Sequence, residues 1–132
     1  MQLIINAPME PCYRYLADPR RRPEWQSSLR RVEAPDVEPH LGLVWRDITV
    51  IGIKPELEIT RMEPFWLWQE TGTWRGVRAV LTLQFIAVAA GTRVLADVEV
   101  SGGLAARAAR FLAPAAISAD LRTAARRIEQ RG

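Results

Sequence analysis

The hydrophobic period of this chain changes once, at Gly102-Gly103, and that change limits the folds open to it. Up to Ser101, apolar and polar residues alternate in short runs separated by turn signals, the two-residue period of strands. From Leu104 on, Leu104, Ala108, Phe111, Ala115, Ser118, Leu121, Ala125 and Ile128 recur at steps of three and four, the stripe of one helix face. Arg107, Arg110, Arg122, Arg126 and Arg127 fall largely off that stripe. The spacing predicts one long amphipathic helix after the glycine pair. A kink is expected at Pro114, which lacks a backbone donor and clashes with the preceding turn. The apolar face is mostly alanine, which leaves two readings open. Alanine lets a helix lie close on a sheet, or, where other elements hold the helix off, leaves room for an internal cavity.

Before that helix the order is strand, two short helical segments, six strands. Gln2–Asn6 is the first strand, and Ala7-Pro8 opens a helix, because proline does little harm in a first turn. Met9, Cys12, Tyr13 and Leu16 form its buried face, and Asp18-Pro19 ends it, since the residue before proline avoids the helical region. Arg20 to Trp25 is a second short helix or turn with Trp25 as its anchor. Strands are predicted at Leu29–Ala34, Leu43–Ile51, Glu56–Met62, Trp66–Trp74, Val77–Val88 and Thr92–Ser101, with turn signals between them. Short connections imply antiparallel neighbours. The fold class is therefore α+β: a curved antiparallel seven-stranded sheet wrapped around a long C-terminal helix, with two short helices after the first strand.

Residues 1–132 are expected to form a single domain, long enough for one core and too short for two. No apolar run approaches the roughly 20 residues that span a bilayer, so no stable membrane insertion is expected. The N-terminus carries no signal pattern, and the lone Cys12 suits a reducing compartment, so a cytoplasmic location is expected. Of the 18 basic residues only Lys54 is lysine, and the net charge is +3. Arg20, Arg21, Arg22, Arg30 and Arg31 cluster in sequence, and phosphate contacts alone give non-specific affinity for nucleic acid. Acidic residues are spread through the same chain, however, and no nucleic-acid motif appears. A solvated basic edge is expected, with no nucleic-acid partner. One histidine and one cysteine make a metal site unexpected. Cys12 and His40 are set aside as nucleophile and base, because Cys12 falls on a buried helix face and His40 in a loop. No glycine-rich phosphate loop is present, and no cofactor is expected.

The order of elements and several local motifs resemble the START-like (SRPBCC) superfamily with its helix-grip fold, in particular the polyketide cyclase/dehydrase-like branch. The resemblance is carried by Ala7-Pro8-Met9-Glu10, Tyr15-Leu16-Ala17-Asp18-Pro19, Pro23-Glu24-Trp25, Gly42, Glu63-Pro64, Gly91-Thr92-Arg93-Val94 and the helix ending near Glu129. It implies a deep cavity between sheet and C-terminal helix, and it makes Asp18 and Trp25 structural residues. It also implies a hydrophobic, aromatic or polyketide-like ligand, with cofactor-independent cyclisation and dehydration as the enzymatic form. The alternatives are a non-catalytic lipid or quinone carrier and a chaperone-activator-like interaction module. The protein is expected to be a monomer or homodimer.

Alternation assigns residues to the cavity. Ala79, Leu81 and Leu83 face inward from one strand, and Val98 from the last. Leu57 and Ile59 face inward, which carries Arg61 with them. A hairpin about Gly52-Ile53-Lys54 puts Trp45, Asp47 and Thr49 on the same face, with Trp45 or a neighbour across from Arg61. A two-residue turn at Arg75-Gly76 puts Trp66, Trp68 and Glu70 inside. Phe111, Ala115 and Leu121 complete the lining from the helix. Asp47, Glu70 and Arg61 are the candidate catalytic groups, a carboxylate as base and the arginine to stabilise an enolate. The competing reading is that Asp47 and Arg61 pair with each other, since a buried charge needs a partner.

Overall fold

The computed structural model describes residues 1–131, with the side chains at 104, 105 and 107–115 outside the description. Strands β1 (Gln2–Ile5), β2 (Leu29–Glu33), β3 (Val44–Thr49), β4 (Glu56–Glu63), β5 (Leu67–Trp74), β6 (Val77–Val88) and β7 (Gly91–Ser101) form one antiparallel sheet. Its order is β1-β7-β6-β5-β4-β3-β2, so each strand from β2 on pairs with its neighbour in sequence and β1 closes onto β7. Helix α1 (Met9–Leu16) and a 3-10 helix (Pro19–Glu24) follow β1, and α2 (Leu104–Arg131) follows β7. This is the α+β order that the change of period predicts, in the helix-grip arrangement that the START-like resemblance implies.

The turns set the register. Trp74 pairs with Val77 across a two-residue turn in which Arg75 and Gly76 both have positive φ, 46° and 80°. That is the turn whose twist matches paired strands. Gly102 (φ 107°) lies against it: a Cβ there would stand 2.2 Å from the Gly76 carbonyl oxygen. The junction into α2 is thus locked onto the β5–β6 turn.

One inner face of the sheet carries the core, with Ile5, Trp45, Ile59, Trp68, Leu83, Phe85 and Val94 packed beneath α1 and α2. Both readings of the alanine-rich helix face apply, at different places. Ala124 and Ala125 are buried with Leu121 and Ile128, where the helix lies close on the sheet. One to two turns earlier, Ala116, Ile117 and Asp120 border a cavity instead. The C-terminal end of α2 is tied to the sheet by the Asn6 amide, which donates to Glu129 Oε2 at 2.8 Å. The expected kink at Pro114 lies outside the described residues.

Two departures from strict alternation matter for the site. A β-bulge in β4 pairs Ile59 with Glu70 but Arg61 with Gln69, so two residues of β4 advance against one of β5. Thr60 joins Gln69 and Thr71 on the outer face through hydrogen bonds of 2.9 and 3.1 Å, and Met62 returns to the core side. The second departure is in the β4–β5 turn. Trp66 belongs to the turn itself, its amide donating to the Glu63 carbonyl at 2.9 Å, and β5 begins only at Leu67.

Candidate active site

The cavity lies between β3–β7 and α2, with a volume of about 320 Å³. Its walls are mostly apolar: Leu57, Trp74, Val77, Ala79, Leu81, Val98, Val100 and Ile117, with Gly72 leaving space opposite Leu57. One wall carries a charged cluster of Arg22, Asp47, Glu70 and Asp120.

The 3-10 helix supplies the arginine. Three residues per turn puts Pro19, Arg22 and Trp25 on one face, and all three are buried. Asp18 holds the start of this helix by accepting the Arg20 amide at 3.0 Å. Arg22, only 2% exposed, reaches β5 and grips Glu70 with both terminal nitrogens, Nη1 donating to Oε2 at 3.0 Å and Nη2 to Oε1. Its guanidinium lies 4.9 Å from the Trp25 ring centroid and also donates to Gln26 Oε1 at 3.2 Å. Burial works against its charge, but Glu70, with Asp47 and Asp120 behind it, raises its pKa above the usual arginine value.

The two carboxylates of the sheet are oriented by tryptophans two residues before them. Trp45 Nε1 donates to Asp47 Oδ1 and Trp68 Nε1 to Glu70 Oε1, both at 3.1 Å. A step of two along a strand keeps both side chains on one face, so each indole lies beside the acid it serves. Asp120 comes from α2 and is fixed by Ser27, whose hydroxyl and amide donate to Oδ1 at 2.9 and 3.3 Å. Three acids thus share one arginine, and Glu70 takes both of its terminal nitrogens. Burial therefore pushes the Asp47 carboxyl up to about 6, with Glu70 adding to the rise and Arg22 and the Trp45 bond opposing it.

Asp47, Glu70, Ala79, Leu81 and Val98, all assigned to the cavity by alternation, line it. Trp45, Trp68, Ile59, Leu83 and Leu121 are buried in the core beside it, and the two indoles hold the acids rather than forming the wall. Thr49 is half-buried and closes the β3–β4 hairpin, its hydroxyl donating to the Ile53 carbonyl at 2.8 Å. Two assignments are corrected. Arg61 is exposed, because the bulge reverses its side, and Trp45 lies across from Leu57 instead. Trp66 is 47% exposed, because the strand has already given way to the turn. Arg22 is likewise no part of a solvated basic edge. Phe111 and Ala115 lie outside the described residues. Arg22 and Asp120 went unassigned although each left a signal. Arg22 has the three-residue spacing to Pro19 and Trp25, and Asp120 stands within the Ile117, Leu121, Ala124 stripe.

A curved sheet that grips its C-terminal helix across a ligand-sized cavity is the START-like arrangement. The chain matches the sequence model of the polyketide cyclase / dehydrase and lipid transport family over residues 1–132, and it belongs to that family. None of the curated proteins matches it. A Mesorhizobium loti protein of known structure superimposes with a TM-score of 0.79 at 21% identity, over 99% of this chain and 95% of that one. For a Chromobacterium violaceum protein the values are 0.74 and 14%, over 98% and 94%. DynU16, a protein in the dynemicin biosynthetic locus, gives 0.72 and 18%, over 98% of this chain and 46% of its own. At these identities the likeness is one of fold. Among the described residues no helix is long and apolar enough to cross a membrane.

Proposed function

We propose that the protein binds a hydrophobic small molecule of aromatic or polyketide-like skeleton in the cavity between sheet and α2, and that it cyclises and dehydrates this molecule with Asp47 as the acid–base group. The observation that carries the reading is one carboxyl, on the wall of an apolar cavity, whose pKa is raised to about 6. A general base works best when its pKa lies near the working pH, and a cavity of some hundreds of Å³ suits a small molecule. Asp47 removes a proton from a carbon beside a carbonyl. The resulting enolate carbon attacks a second carbonyl, forming the ring bond, and the new alkoxide takes the proton back from Asp47. Loss of a further proton together with that hydroxyl leaves as water. Arg22, rather than Arg61, is the cation beside this chemistry, and the walls contribute by holding the chain in a folded conformation.

A second reading, carriage without turnover, is favoured by the mutual engagement of Arg22 and Glu70, which turns the cation of the cavity wall away from Asp47. Incubation with a synthetic poly-β-ketone thioester separates the two. Turnover yields a product lighter by one water, absent with Asp47→Asn. Recovery of the unchanged thioester, bound to the protein, supports the carrier. Native mass spectrometry of the purified protein tests the binding that both share, and a protein that neither carries nor takes up an apolar molecule refutes it.

A further inference from the structure

The charged wall of the cavity says which polar group a ligand can present to it. It draws on every element around Asp47: Arg22 from the 3-10 helix, Gln26 and Ser28 after it, Glu70 on β5 and Asp120 on α2. Three acids stand against one arginine. Glu70 occupies both terminal nitrogens of Arg22, so among the described residues the cavity's one arginine has its two forked donors turned to a protein carboxylate rather than to a ligand anion. Most neighbouring donors are also committed, Trp45 to Asp47, Trp68 to Glu70, Gln26 to Ser28 and Ser27 to Asp120, while Arg22 Nε and Trp25 Nε1 are buried without a partner. Among the described residues the Asp47 carboxyl accepts from Trp45 at Oδ1 while lining the cavity, although it is only 4% exposed. Among the described residues no group of three or more side chains is set to hold a metal ion that would offset the excess of acid.

From this arrangement we infer that the cavity selects a ligand whose polar end donates, through an amine or an enolic or phenolic hydroxyl, and discriminates against one that ends in a carboxylate. The inference rests on the cavity-binding reading above and deepens it. A buried acceptor gains from a donor and is left uncompensated without one. A second carboxylate beside Asp47 adds like-charge repulsion in a site with little water. The selectivity follows the charge of Asp47, so it is present above about pH 6 and fades as the carboxyl gains its proton below it.

The test compares three probes of one size: 2-naphthylmethylamine, 2-naphthol and 2-naphthoate. Binding is read by isothermal titration at about pH 8 and about pH 5, where the amine and the acid both stay ionised. The expected result at the higher pH is at least about a tenfold preference for the amine over 2-naphthoate, with 2-naphthol between them. That ratio falls severalfold at the lower pH and loses its pH dependence in Asp47→Asn. Equal binding of all three probes, a preference for 2-naphthoate, or an amine preference indifferent to pH overturns the inference while leaving the cavity reading intact. If none of the three binds, the cavity reading fails first and the inference falls with it. The wild-type pH series decides the matter even if the variant does not fold.

Discussion

Replacing Asp47 by asparagine tests whether the cavity keeps a carboxyl at an energetic cost. In the folded protein this group ionises near 6 instead of 3.8. Each pH unit of that displacement corresponds to about 1.4 kcal/mol, so the ionised native form carries a penalty of about 3 kcal/mol. The sign follows from proton counting. Between pH 3.8 and about 6 the folded state holds a proton that the unfolded chain has released. Stability therefore falls as pH rises through this window and stays low above it. The amide is neutral at every pH and still offers an oxygen to Trp45 Nε1, so Asp47→Asn lacks this loss. Urea denaturation followed by tryptophan fluorescence, at intervals from about pH 3.5 to pH 7.5, gives both curves. The wild-type stability minus that of Asp47→Asn is expected to drop by about 3 kcal/mol across the window, while groups common to both proteins cancel. A difference that is flat, or that rises with pH, refutes the argument, because Asp47 would then be no harder to ionise folded than unfolded.

Arg22→Met leaves Glu70 and Asp47 beside each other with no cation, and is expected to cost about 3–5 kcal/mol in urea melts near pH 7. The double variant Arg22→Met/Glu70→Leu removes both charges and is expected to recover most of that loss, so a double variant as unstable as the single one counts against a buried ion pair. Ala79→Phe fills the cavity from β6 and is expected to weaken naphthol binding at least about tenfold by titration; undiminished binding would place the ligand elsewhere. Arg61→Ala is expected to shift stability by no more than about 0.5 kcal/mol and to leave probe binding unchanged, since the side chain is exposed; a large effect would restore it to the site.

Much of the architecture was legible because strand and helix periods are local. The alternation of Val77–Phe85 and of Val94–Val100, the Arg75-Gly76 turn and the stripe ending at Ile128 each sit within one element, so reading one element sufficed. For the same reason Asp47 and Glu70 were placed inward: each follows an apolar, inward neighbour by two residues. Arg61 failed on one extra residue. An unbroken β4 carries it inward with Ile59, but the bulge at Thr60 spends a residue on the outer face, and nothing in the local pattern of alternation marks the insertion. Trp66 failed because apolar character does not tell the last residue of a turn from the first of a strand.

The periodicities, the turn chemistry and the family pattern, all written within short windows of sequence, were enough to determine the sheet, the gripping helix and the apolar face between them. Tertiary structure alone decided the charge of the cavity. The partners Arg22 and Glu70 stand 48 residues apart, and Asp120 meets Ser27 across 93. No local rule relates positions so distant. They meet because the 3-10 helix and α2 fold over the same face of the sheet, where a buried charge must find whatever partner the packing brings.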